Sequence, residues 1–157
     1  MSKVATTKGD RSQARVPYTT THRVRDRCLC LHVQRAARAV ARRFDEALRP
    51  LGLTSGQFSL LMSLNRDRPP SIGEVSALLA MDRTTLNANL KPLERRSLLS
   101  VTVDDADRRS RRLALTSAGR ALLVRALPAW QRTQAATETL LGRASPEALR
   151  ADLRKLS

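Results

Sequence analysis

Between Ser71 and Thr116 the spacing of apolar residues changes from a helical period to a period of two. Ile72, Val75, Leu78 and Leu79 recur at helical spacing behind Ser71-Ile72-Gly73-Glu74. In that tetrad the serine oxygen can cap a free N–H while the glutamate returns to the serine's own N–H, which predicts a helix start. Asp82 is a good N-cap for a second helix, whose Leu86, Leu90 and Leu93 fall on one buried stripe. The pattern then alternates in Leu99-Ser100-Val101-Thr102-Val103, and Arg111-Arg112-Leu113-Ala114-Leu115 answers it across a polar loop. These two runs predict an antiparallel ribbon. Its tip, Asp104-Asp105-Ala106-Asp107-Arg108-Arg109-Ser110, is too charged for a core.

Helix, turn, helix and ribbon in that order describe a winged helix-turn-helix, spanning about residues 54–116. On its N-terminal side a long helix is expected from Cys28 onward, with Leu29, Val33, Ala37, Val40, Phe44 and Leu48 on one face, ended by Pro50 and Gly52. A second capping box, Thr54-Ser55-Gly56-Gln57, opens a helix that buries Phe58, Leu60, Leu61, Met62 and Leu64 and stops before Pro69-Pro70. Past the ribbon, Thr116 caps a helix carrying Leu122, Leu123, Ala126, Leu127 and Trp130. Pro128 predicts a kink there, with the helix resuming from Gln131 to about Leu141. Ser145-Pro146-Glu147 starts a last short helix. The fold class is therefore mostly α (α+β), with a two-stranded wing and terminal helical regions at 28–53 and 117–157. Residues 1–27 hold few large apolar side chains, and seven basic residues against two acidic ones, and are expected to form a disordered arm. Whether such an arm tracks phosphates or is an inert extension stays open.

Composition narrows the function. A chain of 157 residues makes one domain's worth of core, and aromatics at 3% suit a helical fold. No apolar run approaches the ~18 residues of a spanning helix, and the basic N-terminus leads into no signal-type apolar stretch, so a soluble cytosolic protein with no membrane partner is expected. His22 and His32 are too few and too far from clustered carboxylates for a metal site or a catalytic triad, and no phosphate-binding glycine loop occurs. Neither an enzyme nor a cofactor is expected.

The net charge of +15 favours polyanionic partners. Arginine-rich composition also arises from genomic bias and solvated faces, so placement decides. Opposite the buried stripe of the second helix stand Arg83, Thr84, Thr85, Asn87 and Lys91, residue types that reach base edges and phosphates in a major groove. Asp107, Arg108, Arg109, Arg111 and Arg112 occupy the wing.

Met81-Asp82-Arg83-Thr84-Thr85-Leu86, Leu90-Lys91-Pro92-Leu93-Glu94-Arg95-Arg96, Asp107-Arg108-Arg109-Ser110 and Leu113-Ala114-Leu115-Thr116-Ser117-Ala118-Gly119 together resemble the MarR family of bacterial transcription regulators. The resemblance runs from about Cys28 to the C-terminus, and the wing passing into Leu-Thr-x-x-Gly is its most specific part. It implies double-stranded DNA as partner and a homodimer formed by the first helix and the last two. It also implies a wing arginine, Arg109, that enters the minor groove and is oriented by Asp107. Family members enclose small aromatic or phenolic effectors, for which His32, Arg35, Phe58, Met62 and Trp130 are the candidates here; the alternative for the last three is ordinary core. A branch of the family senses peroxide through a cysteine near Cys28 and Cys30. These residues open a helix beside Arg27, two positions apart and facing away from one another, and the alternative is that both are small buried hydrophobes. The resulting expectation is a dimeric repressor of a pseudo-palindromic operator, released by a small molecule or an oxidant. The rivals are a sequence-tolerant nucleoid protein, for which the spread charge speaks, and a winged protein-interaction module.

Overall fold

The computed structural model describes residues 15–104 and 107–157. The first part of the expected arm, residues 1–14, and two residues of the wing tip, Asp105 and Ala106, lie outside the described residues. The chain forms two compact units, Met1–Ala37 and Arg38–Ser157.

The described part of the first unit is helical. Helix α1, Tyr18–Arg27, falls within the stretch that its composition assigns to an arm. It buries no residue, so no apolar period announces it, and Arg25 and Arg27 in its last turn complement the negative end of the helix dipole. Tyr18 and His22, one turn apart, meet edge to face at 4.7 Å. Cys28 breaks the helix with extended backbone, and α2, Leu29–Leu48, begins immediately after it.

The second unit takes the rest of α2 and everything that follows. A single 3-10 turn, Arg49–Leu51, ends α2 at Gly52, whose φ of 63° is a left-handed conformation that glycine adopts without steric cost. Helix α3, Ser55–Ser63, and helix α4, Ile72–Leu79, both open on the capping boxes legible in the sequence. Gln57 and Glu74 close them, donors and acceptors reciprocated in each case. Helix α5, Arg83–Arg95, starts on Asp82, whose carboxylate accepts from the Thr85 N–H at 2.8 Å. Strands β1, Leu99–Val103, and β2, Arg111–Leu115, pair antiparallel with Leu99 opposite Leu115 and Val103 opposite Arg111. Helix α6, Ser117–Thr139, runs through Pro128 as one helical span, and α7, Pro146–Arg154, follows the Ser145 cap.

One core holds the second unit together. Leu48, Leu60, Leu61, Val75, Leu86, Leu93 and Leu113 are fully buried within it, and Phe58, Leu90, Leu122, Leu123 and Ala126 join them. The α5 stripe is buried as its spacing predicts. Leu78 departs from its expected burial: it is 56% exposed, because α4 packs on the core through Val75, with Ile72 and Leu79 partly buried beside it, and Leu78 falls at the edge of that face.

Two turns fix the direction of α5. At its N-terminal end Ala80 takes φ 49°, and the Met81 N–H reaches back to the Ser76 carbonyl at 3.0 Å. At its C-terminal end Ser97 takes φ 54°, the Ser97 N–H binds the Glu94 carbonyl at 2.8 Å and the Leu98 N–H binds the Leu93 carbonyl at 3.0 Å. Both are left-handed helix stops of the kind glycine usually supplies.

The start of α6 is pinned to the second of these turns. The Thr116 N–H donates to the Leu98 carbonyl at 3.2 Å, its hydroxyl donates to the Ser97 carbonyl at 2.7 Å, and the same oxygen accepts from the Gly119 N–H at 3.0 Å. A Cβ on Gly119 would stand 2.0 Å from the Leu98 oxygen. The Leu-Thr-x-x-Gly run is thus a packing requirement: threonine ties two chain segments, and glycine lets a helix lie on a carbonyl. Helix propensity alone favours alanine over glycine by ~1 kcal/mol. Gly119→Ala should instead destabilise the fold by about 1–3 kcal/mol through overpacking. A higher denaturation midpoint in the variant would remove this account of the motif.

Candidate nucleic-acid interface

Helix α5 buries Leu86, Leu90 and Leu93 and leaves Arg83, Thr84, Thr85, Asn87 and Lys91 exposed. In the wing, Asp107, Arg108, Arg109 and Arg111 are exposed as well. Five of these nine residues converge. Arg83 and Asn87 of α5 and Asp107, Arg109 and Arg111 of the wing line one open cleft of about 380 Å³, floored by Ser71, Ile72 and Gly73 at the start of α4. Thr84, Thr85, Lys91 and Arg108 lie outside that lining.

The local contacts refine individual roles. Thr85 donates its hydroxyl to Asp82 at 2.6 Å, so toward an outside partner that oxygen is an acceptor. Hydrogen bonds from the Thr85 hydroxyl and amide hold the Asp82 carboxyl below its ordinary range. At the wing tip, Asp107 accepts from the backbone N–H of Arg109 at 3.0 Å, and the Ser110 N–H binds the Asp107 carbonyl at 2.8 Å. Asp107 therefore shapes the loop that presents Arg109 through the main chain.

Arg112 differs from its neighbours. Its Nε donates to Asp104 at 2.7 Å, and its Nη1 faces the Pro69 carbonyl at 3.3 Å and Glu74 at 3.4 Å. Its residue type grouped it with the outward-facing wing arginines; the structure turns it inward, to join the wing to the entry of α4.

The remaining candidates fall in different places. Cys28 and Cys30 are both free, Cys28 half-buried and Cys30 exposed. The Cys28 sulfur accepts from the Leu31 N–H at 3.4 Å, capping α2, while the Cys30 sulfur accepts from Gln34 at 3.3 Å. His32 and Arg35 belong to the first unit and are exposed. Phe58, Met62 and Trp130 belong to the second, where with Ser59, Ser63, Leu78, Leu79 and Leu127 they line an apolar pocket of about 350 Å³. Phe58 and Trp130 stack with ring centroids 6.2 Å apart, and Phe58 is buried while Met62 is 39% exposed. Among the described residues no group of three or more histidines, cysteines or carboxylates is placed to hold a metal, and no helix is long and apolar enough to cross a membrane.

Residues 51–110 match the model described as MarR family. The curated HTH-type transcriptional regulator SarZ of Staphylococcus epidermidis is 25% identical over 92 residues, 59% of this chain and 62% of that protein. The matched stretch thus covers less than two thirds of that relative's length. Among solved structures, the M. tuberculosis transcriptional regulator MosR in complex with DNA is 36% identical with a TM-score of 0.74, over 82% of this chain and 92% of that one. The transcriptional repressor CouR bound to a 23-mer DNA duplex is 30% identical with a TM-score of 0.74, over 91% of this chain and 99% of that one.

The Asp82 cap generates a pH prediction. Because its folded value is depressed, the carboxylate contributes stability above the unfolded value of ~3.9, and that contribution is lost as pH falls through the folded value. Asp82→Ala should lower the thermal midpoint at neutral pH, and the gap from wild type should narrow below about pH 3.9. A gap that stays constant down to the acid limit would assign the loss to packing rather than to the charged cap.

Proposed function

The chain belongs to the MarR family, and from that premise we propose that it is a homodimeric DNA-binding transcriptional regulator, a repressor of a pseudo-palindromic operator. The observation that carries this reading is the convergence of Arg83, Asn87, Arg109 and Arg111, from α5 and the wing, on one exposed cleft. In this reading α5 enters the major groove, where Asn87 and Arg83 have the donors and acceptors that distinguish base pairs. The wing reaches the flanking minor groove, where narrowing strengthens the negative potential that attracts Arg109. Lys91, further along α5 and outside the cleft, contacts phosphate. MosR and CouR, solved with DNA, support the reading by likeness.

The homodimer accounts for apolar surface that one chain leaves open. Val124, Leu127 and Leu140 on α6 and beyond, and Leu149, Leu153 and Leu156 at the C-terminus, are exposed, as are Leu29, Val33 and Val40 on α2. Buried against a second copy, such residues contribute about 25 cal/mol per Å² removed from water. Two copies then present two α5 helices, whose separation should be one helical turn of DNA, ~34 Å.

Anisotropy titrations test the reading, using a duplex selected from a random library by the wild-type protein and a random duplex of equal length. The selected duplex should bind at least ~10³ tighter at physiological salt, with two chains per duplex by sedimentation. Equal affinity for both would favour a sequence-tolerant nucleoid protein, and no salt-dependent binding at all would favour an interaction module. Arg109→Ala should cost about 1–3 kcal/mol on the selected duplex. Lys91→Ala should weaken both duplexes alike and lower the salt slope by about one.

The effector reading rests on the stacked Phe58–Trp130 pair in a pocket of about 350 Å³, near the lower end of small-ligand sites. Trp130 is the sole tryptophan, so its fluorescence reports the pocket directly. Small phenolic and aromatic acids should change that fluorescence saturably and release the selected duplex over the same concentration range. A linear, unsaturable change would leave Phe58, Met62 and Trp130 as ordinary core.

A further inference from the structure

Three carbonyl or carboxylate groups from separate segments meet the guanidinium of Arg112. Asp104 ends the first strand of the wing, Pro69 precedes α4, and Glu74 lies in the first turn of α4. The Asp104 side chain is only 13% exposed, so the shortest of these contacts is shielded from solvent on the carboxylate side. The backbone follows the same path: the Leu113 N–H donates to the Pro70 carbonyl at 2.9 Å, and Ser71 forms an antiparallel bridge with Arg112 itself. Glu74 meanwhile closes the capping box by accepting from the Ser71 N–H at 2.6 Å. The wing and the entry of α4 are therefore joined by this backbone pairing and by one side chain, that of Arg112.

We propose that Arg112 is a positioning residue that holds the wing at a set angle to α4, acting through Asp104 and Glu74 and not through contact with DNA. The proposal rests on the DNA-binding reading above and adds a specific division of labour among the wing arginines. Arg109 and Arg111 line the cleft, whereas the Nε and Nη1 of Arg112 are engaged by Asp104, the Pro69 carbonyl and Glu74. A guanidinium suits this task because its planar fork can serve several acceptors at fixed angles, which the point charge of a lysine cannot.

Positioning and direct contact predict opposite signs for Asp104. If Arg112 bound phosphate, neutralising Asp104 would remove a negative charge near DNA and strengthen binding. If Arg112 positions the wing, Asp104→Asn should weaken binding as Arg112→Met does. The expected loss is about tenfold on the selected duplex, within the range for losing one groove contact. The salt slope should stay within experimental error of wild type in Asp104→Asn and Arg112→Met, and the double variant should bind no more weakly than the worse single one. Arg112→Lys, which keeps the charge, should not restore wild-type affinity.

A second measurement reads the free protein. Hydrogen exchange at the Leu113 amide, bonded to Pro70 across the joint, should accelerate in Arg112→Met and Asp104→Asn while core amides of α5 and α6 keep their protection. Tighter DNA binding by Asp104→Asn, a salt slope reduced by about one in Arg112→Met, or unchanged Leu113 exchange would each overturn the proposal. Failure of the wild type to bind any duplex would instead overturn the DNA-binding reading, and with it the purpose assigned to the joint, even if Leu113 exchange responded as expected.

Discussion

The close approach of α6 to the Leu98 carbonyl is the constraint on which the rest of the second unit depends. That oxygen accepts the Thr116 N–H and lies where a Cβ on Gly119 would be, while the Thr116 hydroxyl bridges Ser97 to Gly119. Ser97 and Leu98 are also the residues that stop α5, and Leu99 and Leu115 beside them form the base of the wing. The end of one helix, the root of a ribbon and the start of another helix therefore share a handful of backbone groups. Little relative movement is available there without breaking several of these hydrogen bonds at once. Farther along, α6 carries Leu127 and Trp130 into the apolar pocket, so one helix contributes both to the wing root and to the pocket wall.

The surplus of cationic side chains divides into groups with different work. Arg96 donates to the Gly52 and Leu51 carbonyls at 2.5 and 3.3 Å, satisfying the turn that ends α2. Arg150 links Glu138 of α6 to Glu147 of α7 at 2.6 and 2.8 Å, and that contact holds the Glu138 carboxyl below its ordinary range. These exposed pairs add little stability individually, and Arg150 ties α7 to the end of α6. Arg83, Arg109 and Arg111 enter no ion pair among the described residues and line the same cleft. A net charge of +15 makes the chain repel itself, and a polyanion laid across the cleft would relieve part of that repulsion.

The sequence showed those features whose causes are local. Both capping boxes, the Asp82 cap, the Thr116 cap and the two strands depend on residues within a turn or a short alternating run, and each appears where its pattern puts it. The Leu-Thr-x-x-Gly run was recognisable as a family mark, yet its reason, the carbonyl of Leu98 against Gly119, required the packed structure. Arg112 shows the limit most clearly. An arginine that follows an exposed arginine in a wing strand looks identical whether it faces solvent or a carboxylate, and only tertiary placement separates the two. Helix α1 escaped notice for the opposite reason: it buries nothing, so it leaves no apolar period to read. Leu78 was assigned to a core that the short helix α4 has no room to extend.

The N-terminus of α5 combines features that bear on how a groove would be read. Asp82 places a carboxylate at the positive end of the helix dipole, where its charge is stabilised by the dipole and by Thr85. A fixed negative charge at that point disfavours a phosphate directly on the helix end, although helix ends are otherwise ready anion sites. Under the proposed reading the phosphate contact falls to Lys91 further along α5, and Arg83 faces the cleft it shares with the wing. What remains between them is a short, uncharged surface of Thr84, Thr85 and Asn87, all exposed. Short side chains reach base edges only if the helix sits deep, and depth depends on the angle at which the wing meets its own groove. Under the proposed reading, sequence discrimination by α5 would depend on the orientation of the wing, and the joint at Arg112 would serve that reading without touching the nucleic acid.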